Sequence, residues 1–447
     1  MSRRLFIGGL VTSHSLSELQ IIQRAALGVD EQGVIQLVTD LDQLHTDLDA
    51  YLKDVGWYKE VDVIHLRPGM FLCPGFVDTH TANTGHGMHL QLLDWLEQLT
   101  FPEEAKFSDA QYAEQLYASV IDRYLRSGTT TACIYATIHL QATKILANLC
   151  HEKGLRAFVG RCQMDRNAPR NYVESSADVS CKHTEEFIQY CQTLPNSLVQ
   201  PILTPRFAIA CTPDLLAGIG ELATKNSEIR IQTHLDENQS EISETLKLFP
   251  SRSSYADVYD HYGLLNQRTI LAHAIHLTED EINLLVERQC ALSHCPTSNI
   301  QLTSGVFRLM ELVRRGLKIG LGSDISGGYS IGLLPVLREA NTLSRTLAMQ
   351  DPRQETASLE ILFYIATLGG AQVCGLDDHV GKFAKGYDFD ALLVDPFLTQ
   401  PGRSTPGNPG LFVQKDEPLA SVLEKWLFCG DDRNIVEVYV RGRKVCC

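Results

Sequence analysis

No Cys-x-x-Cys pair occurs among the thirteen cysteines, which stand singly except for Cys446-Cys447. Neither a zinc-finger nor a disulfide framework is therefore indicated, and buried reduced thiols in a cytosolic protein are expected. No apolar run reaches the roughly 20 residues of a membrane span. The opening Met1-Ser2-Arg3-Arg4-Leu5-Phe6-Ile7-Gly8-Gly9 has two basic residues but an apolar run too short and broken for a secretory signal. Positive charge is not in excess. With 39 Lys and Arg against 54 Asp and Glu the formal net charge is -15, which argues against a nucleic-acid polyanion or a membrane surface as the main partner. A small neutral or weakly polar molecule fits better. What remains is 447 residues, 44% hydrophobic and 21% charged, the composition of an ordinary globular protein long enough for one large enzyme domain and a smaller appended one.

Strand-like segments open the chain at Arg4–Ile7, Ala26–Val29 and Val34–Val38, with Asp30-Glu31-Gln32-Gly33 as a turn, and return at Phe389–Val394 and Val436–Val440. Both termini are expected to build one small β-sandwich domain, from residues 1–73 and 381–447. Between them, over 74–380, short apolar runs alternate with amphipathic segments, the signature of repeated β-α units. Ser108 with Gln111 predicts a helix start, followed by Tyr112, Leu116, Val120 and Tyr124 up to Gly128; Thr278 with Glu281 predicts another before Ile282, Leu285 and Val286. Strands are expected to end near His80, Tyr135, Gly160, Thr204, His234, His273, His294 and Asp324. Eight such units predict an α/β fold with a TIM-like (β/α)8 barrel.

Four of these strand ends carry histidine and one aspartate. In a barrel they converge on one mouth, where imidazole nitrogens and a carboxylate suit a borderline cation such as zinc that activates water. Glu237, three residues after His234, is placed to move a proton. Any one of these histidines alone is more often a satisfied core residue; five polar residues at matching strand ends are harder to dismiss. His139, His261 and His276 have no such support and read as structural. Cys295 and His294 face opposite ways if they share a strand, so they do not form a nucleophile and base. Gly327-Gly328 is expected to let the backbone pass close to a ligand.

Pro74-Gly75-Phe76-Val77-Asp78-Thr79-His80, His234-Leu235-Asp236-Glu237, Ala272-His273, Ser293-His294-Cys295-Pro296-Thr297-Ser298-Asn299 and Gly322-Ser323-Asp324 resemble, in order and spacing, the metal-site motifs of amidohydrolase-superfamily deaminases. Leu93-Asp94-Trp95-Leu96 with Thr100-Phe101-Pro102, Thr129-Thr130-Thr131-Ala132-Cys133, Thr204-Pro205-Arg206-Phe207 and Gly430-Asp431-Asp432-Arg433-Asn434-Ile435 resemble the guanine-deaminase family within it. The resemblance implies one zinc ion per chain held by His80, His234, His273 and Asp324. It implies Glu237 as proton shuttle, His294 orienting the attacking water, Arg206 hydrogen-bonding the carbonyl and ring-nitrogen side of a purine, and Phe207 packing on its ring. The implied reaction converts guanine to xanthine and ammonia, in a cytoplasmic homodimer of purine catabolism or salvage.

One departure stands out. The family's first motif is His-x-His, whereas here His80-Thr81 is followed by Ala82, and the interval to Leu93-Asp94-Trp95 is about five residues short of the family's spacing. The missing piece would hold the second imidazole and a glutamine that contacts the purine. A sequence or splice difference, a catalytically dead relative, and rescue by His86 or His89 are the three readings. Much-reduced deaminase activity is the expectation for this chain, and another heterocycle as substrate, or a binding protein without turnover, are the alternatives.

Overall fold

The computed structural model describes residues 2–82, 90–325, 327–397, 411–414 and 416–446. Five strands come first: β1 (Arg3–Ser15), β2 (Glu18–Val29), β3 (Ile35–Asp40), β4 (Val61–His65) and β5 (Phe71–Pro74). The central run follows as β6 (Phe76–Thr81), β7 (Thr129–Tyr135), β8 (Arg156–Gly160), the two-residue β9 (Cys162–Gln163), β10 (Val199–Pro205), β11 (Arg230–Leu235), β12 (Thr269–His273), β13 (Ala291–His294) and β14 (Lys318–Leu321). The chain closes with β15 (Ala391–Val394), β16 (Ile435–Val440) and β17 (Arg443–Cys446).

The central strands pair in parallel in the order β6-β7-β8-β10-β11-β12-β13-β14, with β9 beside the end of β10. Helices cover their outer face, so both sides are dry and strands such as β7 are buried throughout. Between β14 and β6 the barrel closes through side chains and loop backbone. The Thr79 hydroxyl donates to the Leu321 carbonyl at 2.9 Å, the Asp324 N–H to the His80 carbonyl at 2.9 Å, and the Ser323 N–H to Asp78 Oδ1 at 2.9 Å. Gly320 permits this approach, since a Cβ there would stand 2.5 Å from the Thr79 methyl. The result is the expected eight-stranded α/β barrel. Val77, Cys133, Phe158, Ile202, Ile270 and Ala291 fill its interior against the helix Leu368–Cys374, and the strand ends carry the polar residues.

The terminal strands form one eight-stranded mixed sheet in the order β17-β16-β15-β5-β1-β2-β3, with β4 also on β1, so both ends of the chain build it, as expected. β1 and β2 form a longer hairpin than the sequence suggested. The expected strand stops at Ile7, whereas the ladder continues through a register shift between Gly8 and Leu10 and runs on to Ser15. The turn at Asp30 is as expected, its Oδ1 accepting from the backbone of Gln32 and Val34.

One helix start is corrected. Asp109, not Ser108, caps Ala110–Arg126, accepting from the Gln111 and Tyr112 N–H groups, while the Ser108 hydroxyl donates to the Ala105 carbonyl. Of the expected stripe Tyr124 is buried, but Tyr112, Leu116 and Val120 are only partly covered and their neighbours Ala113, Tyr117 and Ile121 are buried in their place. The Thr278–Glu281 capping box is present before Glu279–Glu287, with Ile282 and Leu285 buried and Val286 exposed. Among the described residues no helix is long and apolar enough to cross a membrane.

Candidate active site

His80 on β6, His234 on β11 and His273 at the end of β12 meet at one rim of the barrel. Their ring centroids are 4.9, 5.3 and 5.4 Å apart, and one nitrogen from each lies within 4.8 Å of the other two. Asp324, three residues past β14, joins them with Oδ1 3.4 Å from His80 Nε2 and Oδ2 3.9 Å from His273 Nε2. The backbone bends sharply to deliver two of the four: His273 has φ +69° and Asp324 φ +42°, a region that non-glycine residues adopt mainly where the surroundings fix them, often at functional sites.

A second layer orients the rings. His234 Nδ1 is 2.6 Å from the Arg206 carbonyl and His273 Nδ1 is 2.8 Å from Asn299 Oδ1. Because these oxygens only accept, each Nδ1 carries the proton and each Nε2 offers its lone pair to the site. His273 Nε2 is buried and has no hydrogen-bond partner among the described residues, as expected of a nitrogen aimed at a cation. Three imidazoles and one carboxylate form a donor set suited to zinc.

Glu237 flanks the cluster, its Oε2 3.5 Å from His273 Nε2 and its Oε1 accepting from the Ser304 hydroxyl at 3.2 Å. Its backbone N–H donates to Glu241 Oε2 at 3.0 Å, which pins the turn after β11. Burial, then the nearby Asp324 charge, pushes the Glu237 carboxyl up to about 8, the range of a group that can both take and give a proton near neutral pH. Burial would also raise Asp324, but the hydrogen bond and charge of His80, with the charge of His273, outweigh it and hold Asp324 well below the usual carboxylate range. His294 lies flat on Phe307 at 4.4 Å. Burial, then His273, lowers it to about 3, which leaves a neutral imidazole.

Beside the cluster opens a small cavity walled by Leu92, Trp95, Leu96, Phe207 and Leu302, with Arg206, Glu237 and Asp324 among its polar groups. Arg206 is held by Glu104, Nη1 to Oε2 at 2.5 Å and Nη2 to Oε1 at 3.1 Å, while its guanidinium lies 5.1 Å from the Phe101 ring centre. The Tyr172 hydroxyl donates to the same Oε2 at 2.6 Å.

Residues 71–445 match the amidohydrolase family. The chain is 41% identical over 451 residues to the guanine deaminase of Dictyostelium discoideum, covering 99% of this chain and 98% of that one. It is 37% identical over 448 residues to the guanine deaminase of Rattus norvegicus, covering 99% and 96%. The crystal structure of guanine deaminase from C. acetobutylicum with guanine bound in its active site superposes with a TM-score of 0.88 at 32% identity, covering 99% of both chains. The chain belongs to the guanine deaminases of the amidohydrolase family.

Against that family's pattern, the structure gathers His80, His234, His273, Asp324 and Glu237, and sets Arg206 and Phe207 in the wall of the same cavity. His294 sits behind, outside the cavity lining. His86 and His89 lie outside the described residues. The Ala82 carbonyl accepts from the Tyr124 hydroxyl at 3.3 Å, and its methyl offers no donor. Cys295 bonds Ser293 rather than His294. His139 packs on Tyr172 and His276 bonds the Ser304 carbonyl, both away from the cavity. A Cβ at Gly327 would meet Ser298 Oγ at 2.3 Å, and one at Gly328 the Ser323 carbonyl at 2.4 Å, so these glycines pack loop on loop beside Asp324. Sequence reasoning missed Glu104, Tyr172 and Asn299 as supporting residues; Glu104 stands two residues after Thr100-Phe101-Pro102, and Asn299 closes the Ser293–Asn299 motif.

Proposed function

We propose that this chain catalyses the hydrolytic deamination of guanine to xanthine and ammonia, with one zinc ion per chain held by His80, His234, His273 and Asp324. The observation that carries the substrate is the alignment of nearly the whole chain with proteins named guanine deaminases, because the metal donors alone are common to many amidohydrolases. The cation, when bound, supplies a Lewis acid that makes water nucleophilic at neutral pH.

The chain's own residues do the rest. Trp95, Phe207 and Leu302 surround the ring and keep bulk water out, and the Arg206 N–H groups not used by Glu104 donate to the carbonyl edge of the purine. As water adds to C2, Glu237 Oε2 takes its proton and passes it to the exocyclic nitrogen, which leaves as ammonia. The neutral His294 helps orient the attacking water. We assign residues 74–380 to the catalytic barrel, and 1–73 with 381–447 to the terminal domain. A cytoplasmic homodimer acting in purine catabolism or salvage accords with the family.

Ala82 favours a second statement: the site is one imidazole short of the family's motif, so turnover is much reduced. Ammonia release by the zinc-loaded protein, measured on guanine against adenosine, a pterin and a triazine, tests both. Guanine is expected to be preferred, and Ala82→His to raise its turnover at least tenfold. Release from another ring with none from guanine would overturn the substrate; turnover already equal to that of family members carrying His-x-His would overturn the impairment.

A further inference from the structure

The Glu104–Arg206 pair is not needed to explain how Arg206 could bind a purine, since a lone guanidinium would do that. Nor is a buried ion pair an economical way to fasten a loop, because desolvating two charges offsets much of their attraction. Its placement is informative: Arg206 lines the cavity, while Glu104 stands behind it, with residue exposures of only 8% and 7% respectively. Glu104 takes two parallel N–H bonds from the guanidinium, and Cys162 Sγ lies 3.9 Å from Nη1. Of the five N–H donors of an arginine, Nε–H and one on Nη2 remain for a ligand.

The groups packed round the pair add no compensating charge. Burial raises Tyr172, Tyr117 and Cys162 and lowers His139, keeping all four neutral. The neighbouring Arg161 is committed to Glu174, at 2.7 and 3.2 Å. The wall therefore presents directional donors whose cation is cancelled at a fixed distance. An uncompensated arginine in a desolvated wall would attract anions strongly; a compensated one binds a neutral lactam edge without that bias.

We propose that Glu104 is a specificity-determining positioning residue: by pairing with Arg206 it makes the cavity select a neutral oxopurine over an anionic one, which favours guanine over its more acidic product xanthine. This rests on the guanine reading above. Xanthine loses a proton near neutrality, so at a slightly alkaline pH the two ligands share a shape and differ in charge.

The test is calorimetric titration of the zinc-loaded full-length protein with guanine and with xanthine at that pH, for the native chain, Glu104→Gln and Glu104→Asp. In Glu104→Gln the ratio of xanthine to guanine affinity is expected to rise at least tenfold, because the amide leaves the guanidinium charge uncovered. In Glu104→Asp, which keeps the charge but shortens the reach, guanine binding is expected to weaken at least threefold with the ratio held within threefold. A folded Glu104→Gln protein with an unchanged ratio would overturn the proposal. Should that variant not fold, Glu104→Asp decides: guanine affinity equal to native, or a ratio shifted toward xanthine, overturns it. Failure of the native chain to bind or deaminate guanine would instead sink the assigned substrate, so the two failures are distinguishable.

Discussion

Replacing Asn299 with alanine should weaken zinc binding while leaving the fold alone. Asn299 is fully buried, and its Oδ1 accepts from His273 Nδ1 at 2.8 Å. Its Nδ2 has no partner among the described residues, so the side chain makes one hydrogen bond and its loss dismantles no other. Without that acceptor the Nδ1 proton is buried and unpaired, a penalty of about 1–3 kcal/mol. The ring can escape the penalty by carrying its proton on Nε2 instead, and then offers no lone pair to the cation. Outer acceptors of this kind are worth roughly 10–100-fold in metal affinity, about 1.4–2.7 kcal/mol at 1.36 kcal/mol per tenfold, the same range reached from the hydrogen bond. Competition with a chromophoric chelator measures the zinc affinity, and thermal melts of the zinc-free proteins check that the fold is intact. Asn299→Asp, whose carboxylate accepts the same N–H, should bind zinc at least as tightly as the native protein. An Asn299→Ala protein that holds zinc within twofold of native would refute the account of how His273 is oriented.

Two further changes probe the proton path and the scaffold. Glu237→Gln keeps the shape and the Ser304 contact but cannot carry a proton, so ammonia release from guanine should fall by about 10²–10⁴ with guanine affinity within a few-fold of native in a titration. Glu174→Ala strands the Arg161 guanidinium, whose side chain is 0% exposed and donates to both Glu174 oxygens, Ser180 and Thr184; urea unfolding should show a loss of about 3–5 kcal/mol, and a loss under 1 kcal/mol would contradict it.

The catalytic rim was legible in the sequence because barrel strands are buried on both faces. Runs such as Ile270-Leu271-Ala272 are uniformly apolar, so a histidine or aspartate just beyond one is conspicuous, and the right-hand order of strands brings such ends together whatever their separation in the chain. Support from across the fold was not legible. Glu104 and Arg206 lie 102 residues apart on different connections, and neither a helical nor a strand period relates them. Local geometry also misled at two places. The first strand is expected over Arg4–Ile7 only, but a bulge between Gly8 and Leu10 carries it on to Ser15. Ser108 and Asp109 are both good caps, and which one starts the helix is decided by the preceding turn, where the Ser108 hydroxyl is already engaged with Ala105.

The site thus draws its two functions from two kinds of backbone. Metal donors sit at or just past strand ends that the barrel ladder fixes, with His80, His234 and His273 all inside paired strands. Part of the cavity wall comes instead from the long excursion between β6 and the helix Ala110–Arg126, which supplies Leu92, Trp95 and Leu96, with Phe101 and Glu104 against Arg206. Since connections accept change more readily than the strands they join, substitutions in the helical stretch 92–104 can redirect which ring is bound without disturbing the donors, whereas a change at Ala82, one residue past β6, acts on the cation first. Substrate choice and metal affinity should therefore respond to different residues, and a variant in the excursion that altered the ring preference would keep its zinc.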